Sequence, residues 1–458
     1  MRLLKLTGVA LMSISLVTAV IVPTGIIPTV PYKEEGELWA LLVAGSSTWQ
    51  NYRHQADLCH AYQILHAHGV PDDHIIVMME DDIAYNKQNP TQGVIVNRPG
   101  GPNVYSGIPK DYTGVDVTYQ NFLKILQGDE EGLKGIGTGK VIKSGPSDRI
   151  FVNMVDHGAP GIFGFPPHPN SGFHFLKATD LIDTINSMHK LSKYKKMVIY
   201  LESCQSGSMF QNLLPDDMNV LAVTASNAKE MSFACYLDDT LYKTYLGDVF
   251  SVKWMEDTDR EDITIETLKS QYALVQKEVN KSHVLEWGDL SLNNEVMSLY
   301  LGSKKTLNND VWYPPAFHDP CLNSSVASGD VALAIMEANM YTSFDSNEAN
   351  YWSEEIIKLD KNRNYLVSVV EQLILEVVVD AQLVMDITTG EPQEIRHWDC
   401  YYENVQSFHD MCFDLGMNPY GLQHLHTLVN LCEHGFTSGE FTVAAKQVCT
   451  HPPFMDIF

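Results

Sequence analysis

The chain has 458 residues, 45% of them hydrophobic, and a formal net charge of −26. That length suggests two or three folding units, and the apolar content is enough for a substantial core. So acidic a chain repels nucleic acid and anionic lipid, which argues against both as partners.

Arg2 and Lys5 precede an uncharged apolar run from Leu6 to Val22, with Val17, Thr18 and Ala19 forming a small-residue cleavage candidate. This is the layout of a secretory signal peptide, read as residues 1–19, followed by an N-terminal propeptide over 20–37. An uncleaved anchor is the alternative, because about twenty apolar residues can span a bilayer. Pro23, Gly25, Pro28 and Pro31 shorten the usable helix and favour cleavage. No later segment is apolar enough to span, so no stable membrane insertion is expected once the signal is removed.

From Leu38 onward, short β-branched runs alternate with helical patterns: "WALLVAGS", "HIIVMM", "RIFVNMVDHG", "KMVIYLESC" and "VLAVTAS". Apolar residues at helical spacing run from Gln55 to His68 between the first two, and "KATDLIDTINSMHK" lies between the third and fourth. Continuous apolar strands separated by amphipathic helices imply an α/β fold with a parallel sheet covered on both faces. Active residues in such sheets lie at the carboxyl ends of the strands. Asn86 to Thr113, rich in Gly and Pro, reads as a long surface loop near the site. The α/β unit is taken as 38–305 and the linker-like stretch as 306–350. The signals in 351–458 are helical, strongest in "YLVSVVEQLILEVVVDAQLVMD" and "LQHLHTLVNLCEH".

Asn280 and Asn323 head glycosylation sequons, which fit a secretory route. Of the eight cysteines, Cys400, Cys412, Cys432 and Cys449 cluster near the end and read as two disulfides with three open connectivities. Cys59, Cys204, Cys235 and Cys321 look less like a framework.

Two strand ends carry the chemistry. "FVNMVDHG" ends in His157 and Gly158, and "VIYLESC" ends in Cys204, 47 residues after the histidine. Adjacent parallel strands would hold thiol and imidazole at one sheet edge, where the thiolate forms more readily. Cys204 opens an expected helix, whose N-terminus would favour negative charge on sulfur. Gly158 leaves its N–H open to a carbonyl, and with the Cys204 N–H could form an oxyanion hole. Each residue alone is an ordinary packing or turn residue; their matched placement favours a catalytic pair. No metal-ligand spacing accompanies them, and the first strand leads into no glycine-rich phosphate loop, so neither metal nor organic cofactor is expected.

The stretches "WALLVAGSSTWQNYRHQADLCHAYQIL", "KDYTGVDVT", "GIGTGKVIKSGPSDRIF", "VDHG", "ESCQSGSM", "YLGD" and "WMEDTD" resemble the legumain family, the asparaginyl endopeptidases of the caspase-like clan. The four-cysteine tail resembles the legumain prodomain. The resemblance implies a caspase-like, mostly parallel sheet flanked by helices, followed by a disulfide-stapled helical prodomain. It implies Cys204 as nucleophile, His157 as its proton-transfer partner, Asn51 as the residue orienting the histidine, and Asp156 at a position where the family often carries a succinimide. The specificity pocket would comprise Arg53, His54, Glu202, Ser232 and Asp248. An asparagine carboxamide offers both donor and acceptor, and a pocket with Arg53 opposite Glu202 and Asp248 offers the complementary mixture. Disulfides are implied between Cys400 and Cys432 and between Cys412 and Cys449.

The resemblance further implies a lysosomal, vacuolar or secreted zymogen whose helical tail covers the cleft. It implies protein and peptide substrates with exposed Asn, and cystatin-type inhibitors as candidate partners. Three features depart from the pattern. Met231 precedes Ser232 where a second serine is common. The tail from Tyr351 has 16 Asp/Glu against 5 Lys/Arg, although its six histidines can charge in acid. No asparagine for tail release stands out among Asn339, Asn347, Asn350 and Asp345. Three other readings carry over: a peptide ligase using the same acyl-enzyme, a GPI-transamidase subunit lacking such a tail, and a catalytically silent secreted binding protein.

Overall fold

The computed structural model describes residues 36–168, 172–304, 319–450 and 457–458. The residues read as signal peptide, nearly all of those read as N-terminal propeptide and the first part of the stretch read as linker lie outside them. In chain order the described part of the α/β unit runs β1 (Leu38–Ala44), α1 (Tyr52–Ala67), β2 (Ile75–Met79), α2 (Tyr119–Gln127), β3 (Arg149–Val155), β4 (Gly158–Ala159), β5 (Ile162–Gly164), β6 (Phe175–Lys177) and α3 (Ala178–Lys190). It continues through β7 (Lys196–Glu202), β8 (Val220–Thr224), β9 (Phe233–Asp238), β10 (Thr244–Asp248), α4 (Val249–Arg260), α5 (Leu268–Glu278), β11 (Leu285–Gly288) and α6 (Ser298–Leu301).

Six described strands form the main sheet in the order β11-β8-β7-β3-β1-β2, parallel except for the edge strand β11. The five β-branched runs of the sequence are its parallel strands. Alternate residues of β1 serve opposite cores, because successive side chains leave a strand on opposite faces. Leu42 packs with Leu58, Phe151, Tyr200 and Trp254 on the α1, α4 and α5 side. Leu41 and Val43 pack with Phe122, Ile150 and Leu181 on the α2 and α3 side.

The stretch from Asn86 to Thr113 departs from its reading as a surface loop. Ile95, Val96, Val104 and Ile108 are buried in the first core, and the Tyr52 hydroxyl donates to Val96 O at 3.1 Å. Its many turn residues conceal a few apolar anchors that fix it against α1.

Residues 319–350 carry α7 (Pro320–Asn323), β12 (Val326–Ala327) and α8 (Val331–Thr342). β12 adds antiparallel to β9, which also pairs with β10. Cys321 is bonded to Cys235 on β9, so the expectation that these two cysteines stand outside any disulfide framework is corrected. They are 86 positions apart, and no sequence spacing signals a pairing that strand addition creates.

The tail comprises α9 (Ser346–Val377), α10 (Ala381–Thr389), α11 (Trp398–Met411), α12 (His426–Glu433) and α13 (Ser438–Val448). The single helix read over "YLVSVVEQLILEVVVDAQLVMD" is broken at Val378, because β-branched Val377 to Val379 favour helix poorly and Asp380 caps α10 by accepting the N–H of Gln382 and Leu383. Disulfides join Cys400 to Cys432 and Cys412 to Cys449, the implied pairing. The tail core includes Ala159, Ile162 and Phe175 of the α/β unit, so tail and unit share apolar side chains. Among the described residues, no helix is long and apolar enough to cross a membrane.

Candidate active site

The register of β3 against β7 pairs Val155 with Glu202, which carries His157 and Cys204 off neighbouring strand ends at one edge. Gly158 is needed there for a close approach: a Cβ would stand 2.5 Å from Cys204 O and 2.7 Å from Ser203 Oγ. The His157 Nε2 is 2.8 Å from Asn51 Oδ1, which makes Nε2 the protonated nitrogen and leaves Nδ1 as the free base. Ser232 faces Cys204, its N–H 3.4 Å and its Oγ 3.6 Å from Sγ. Among the described residues, no hydrogen bond joins Cys204 directly to His157 in this state.

The expected helix after Cys204 is a correction. Gln205 adopts a left-handed conformation, φ 47°, and only a short 3-10 turn, Ser206–Met209, follows. The turn's amides go elsewhere: Gln205 N donates to Glu230 O, and Ser206 N to Ser226 Oγ. No helix dipole supports the thiolate; the supporting polar group is Ser232.

The residues expected to form the specificity pocket come from α1, β7, β10 and the loop before β9. Arg53, fully buried on α1, donates from Nε to Asp248 Oδ1 at 2.9 Å and from Nη2 to Ser328 Oγ at 2.9 Å. Glu202 Oε2 accepts the Ser251 N–H at 2.9 Å and its hydroxyl at 3.1 Å. Glu202 Oε1 and Asp248 Oδ2 are buried without a hydrogen-bond partner. His54 Nδ1 is 2.6 Å from Ser46 Oγ, and its ring packs edge-on to His157 at 5.1 Å between centroids. Asp156 Oδ1 lies 3.4 Å from His54 Nδ1, and burial raises its pKa to about 8. Two groups of potential metal ligands occur among the described residues, His54 with Asp156 and His157, and His174 with His409 and Asp414. Asn51 and Ser46 already engage the two histidines of the first group.

Residues 38–303 match the Peptidase C13 family and residues 354–449 the legumain prodomain. The chain belongs to the peptidase C13 family. It is 43% identical to legumain of Homo sapiens over 93% of this chain and 96% of that protein. It is 37% identical to the vacuolar-processing enzyme of Vicia sativa over 92% of this chain and 87% of that one. Caspase-1 from Spodoptera frugiperda matches at a TM-score of 0.35 and 10% identity over 60% of this chain and 92% of that one. As a C13 peptidase the protein is a cysteine endopeptidase, and its helical tail is a prodomain.

In this C13 zymogen the cleft is covered. His157 lines two cavities, one closed by Leu415, Met417, Pro419 and Phe458 of the tail, the other by Ser328, Gly329, Val331 and Ala332 together with Pro419, Tyr420 and Phe458. Burial, and then Arg53, lower the His157 pKa to about 3, while burial raises that of Cys204. Arg363 of the tail clasps the covering segment, donating to Asp330 Oδ1 at 3.0 Å and Gly329 O at 2.8 Å. Sequence reasoning missed Ser328, which reaches Arg53 from 275 positions away. Only the "SSVASGD" turn chemistry hinted at a fixed conformation there. The glycosylation candidates Asn280 and Asn323 are both exposed.

Proposed function

We propose that the mature enzyme hydrolyses peptide bonds after asparagine. The observation carrying this reading is the pair of buried oxygens without a hydrogen-bond partner, Glu202 Oε1 and Asp248 Oδ2 (the latter 3.7 Å from His54 Nε2), beside the Arg53 guanidinium. A buried acceptor left without a donor costs about 1–3 kcal/mol, which a ligand amide recovers. The asparagine NH2 donates to those oxygens and its C=O accepts from Arg53 Nη2, in the place now taken by Ser328 Oγ. Burial holds both Glu202 and Asp248 above the usual carboxylate range, the Asp248 charge adding to the shift of Glu202, and Arg53 opposes both shifts.

Chemistry follows the strand-end pair. His157 takes the Cys204 proton, sulfur attacks the carbonyl carbon after asparagine, and the Gly158 and Cys204 amides stabilise the oxyanion. The imidazolium then protonates the leaving amine as the C–N bond breaks. Water, deprotonated by His157, hydrolyses the thioester, and the proton returns to sulfur. Asn51 keeps the histidine in the required tautomer.

The prodomain acts as an intramolecular inhibitor by clasping, through Arg363, the segment of β12 and Ser328 that lies over the pocket. Of the release candidates, Asn339 is buried within α8, and Asn347 and Asn350 lie within α9. Asp345 is exposed at the junction of the two helices, and a protease needs an extended segment, so cleavage after Asp345 is the release event. A secretory route to an acidic compartment suits that event, since the aspartate must be protonated to imitate asparagine.

The test is cleavage, at acid pH, of peptides differing only in Asn, Asp or Ala at the scissile residue, with Cys204→Ala alongside. Strong cleavage after Asn, weaker cleavage after Asp and none by the variant is expected. Equal cleavage after Ala sinks the pocket assignment, and an active variant sinks the mechanism.

A further inference from the structure

Behind the proposed pocket lies a second layer of buried polar side chains. Asp57 stands one turn beyond Arg53 on α1, on the same face, and is fully buried. Its Oδ2 accepts the backbone N–H of Asp248 at 3.1 Å, and its Oδ1 accepts Asn97 Nδ2 at 2.7 Å. The same Asn97 nitrogen donates to Leu246 O at 2.9 Å. Asn97 from the 86–113 stretch and Asp57 of α1 thus together hold β10 on either side of Gly247. That residue is glycine because a Cβ would stand 2.5 Å from Val252, 3.0 Å from Asn97 Nδ2 and 3.1 Å from Asp57 Oδ1.

The orientation of Asn97 is set from the far side. Its Oδ1 lies 2.9 Å from His60 Nδ1, while His60 Nε2 lies 3.1 Å from Asp259 Oδ2. Only an imidazolium donates to both acceptors. Burial opposes that charge, yet Asp259 and Asn97 raise the His60 pKa overall. With its oxygen committed to His60, the Asn97 amide must turn its nitrogen to Asp57. Burial and the neighbouring Asp248 push the Asp57 pKa well up.

We propose that Asp57 and Asn97 are positioning residues for substrate selection: they hold the Asp248 backbone at the spacing from Arg53 that reads an asparagine carboxamide. The proposal rests on the asparagine pocket described above. Neither residue touches the substrate; each acts through Asp248.

The experiment uses the activated enzyme with Asn97→Ala, Asp57→Asn and the exchange Asp57→Asn/Asn97→Asp. It measures kcat and KM on Asn and Ala peptides, and the rate of Cys204 alkylation by iodoacetamide, which needs no specificity pocket. Each single variant should raise KM for the Asn peptide about tenfold, the worth of one buried hydrogen bond, with alkylation within about twofold of the parent. The exchange should recover part of the selectivity, because it restores a donor opposite an acceptor. Should the single variants fail to fold or activate, His60→Gln, which unlocks Asn97 from outside, should lower Asn-over-Ala selectivity in the same sense. Full selectivity in variants that fold, or alkylation falling in parallel with cleavage, overturns the proposal. A parent enzyme without preference for Asn over Ala overturns the pocket reading instead.

Discussion

Cys204 and His157 leave adjacent strand ends at one sheet edge, yet in the covered state burial works against both charged forms. The thiol pKa is raised and the imidazole pKa lowered to about 3, so the neutral pair is favoured. Alkylation of Cys204 at pH 6 should therefore be slower in the zymogen than after tail removal, because only the thiolate reacts. Mass spectrometry of the labelled peptide reads the rate. In the pocket, Asp248→Asn replaces an acceptor with a group that can turn a donor toward the substrate amide. Cleavage after Asn should fall about 100-fold in kcat/KM, since sites built on hydrogen bonds reject mismatched partners strongly. Asp248, Glu202 and Arg53 were legible through family motifs. Asp57 and Ser328 were not, because their partners lie across folds of the chain that no spacing reports.

The parallel strands and α1 and α3 were legible because their periods are strong: continuous apolar runs for buried strands, helical spacing between them. Strand β11 is only half-buried along its length, and β12 has two residues, so neither presents a period. β12 exists because β9 offers an open edge, and the Cys235–Cys321 bond holds it there. Cys321→Ser should lower the melting temperature of the zymogen, because closing a loop of this length is worth about 4–5 kcal/mol. It should also make the zymogen leak activity, since Ser328 follows β12 directly. Calorimetry and a peptide assay on unprocessed protein check both outcomes.

Across the whole molecule, the prodomain docks mainly by apolar contact, as its acid-rich composition requires, with a buried histidine at the seam. His174 of the α/β unit faces His409 and Asp414 of the tail at a ring distance of 5.1 Å from His409, with His168 and Asp410 nearby. Burial, then His409, lower the His174 pKa to about 4, and burial lowers that of His409. A histidine whose pKa is depressed on docking favours the docked state while neutral. For His174 that contribution is full above about pH 6.5 and is lost as pH falls toward 4. His174→Leu should therefore shift tail dissociation to lower pH, measured by size exclusion of nicked Cys204→Ala protein. Asp345→Ala should abolish the nick between α8 and α9, which intact-mass measurement after acid incubation reports.

The sequence by itself determined the parallel α/β body, the strand-end cysteine and histidine, and the helical four-cysteine tail, because these rest on local periods and short motifs. The tertiary structure alone decided what occupies the pocket, which cysteine holds the covering strand and which carboxylate oxygens are left unpaired. Those facts are relations between residues as many as 275 positions apart, brought together only when separate elements pack.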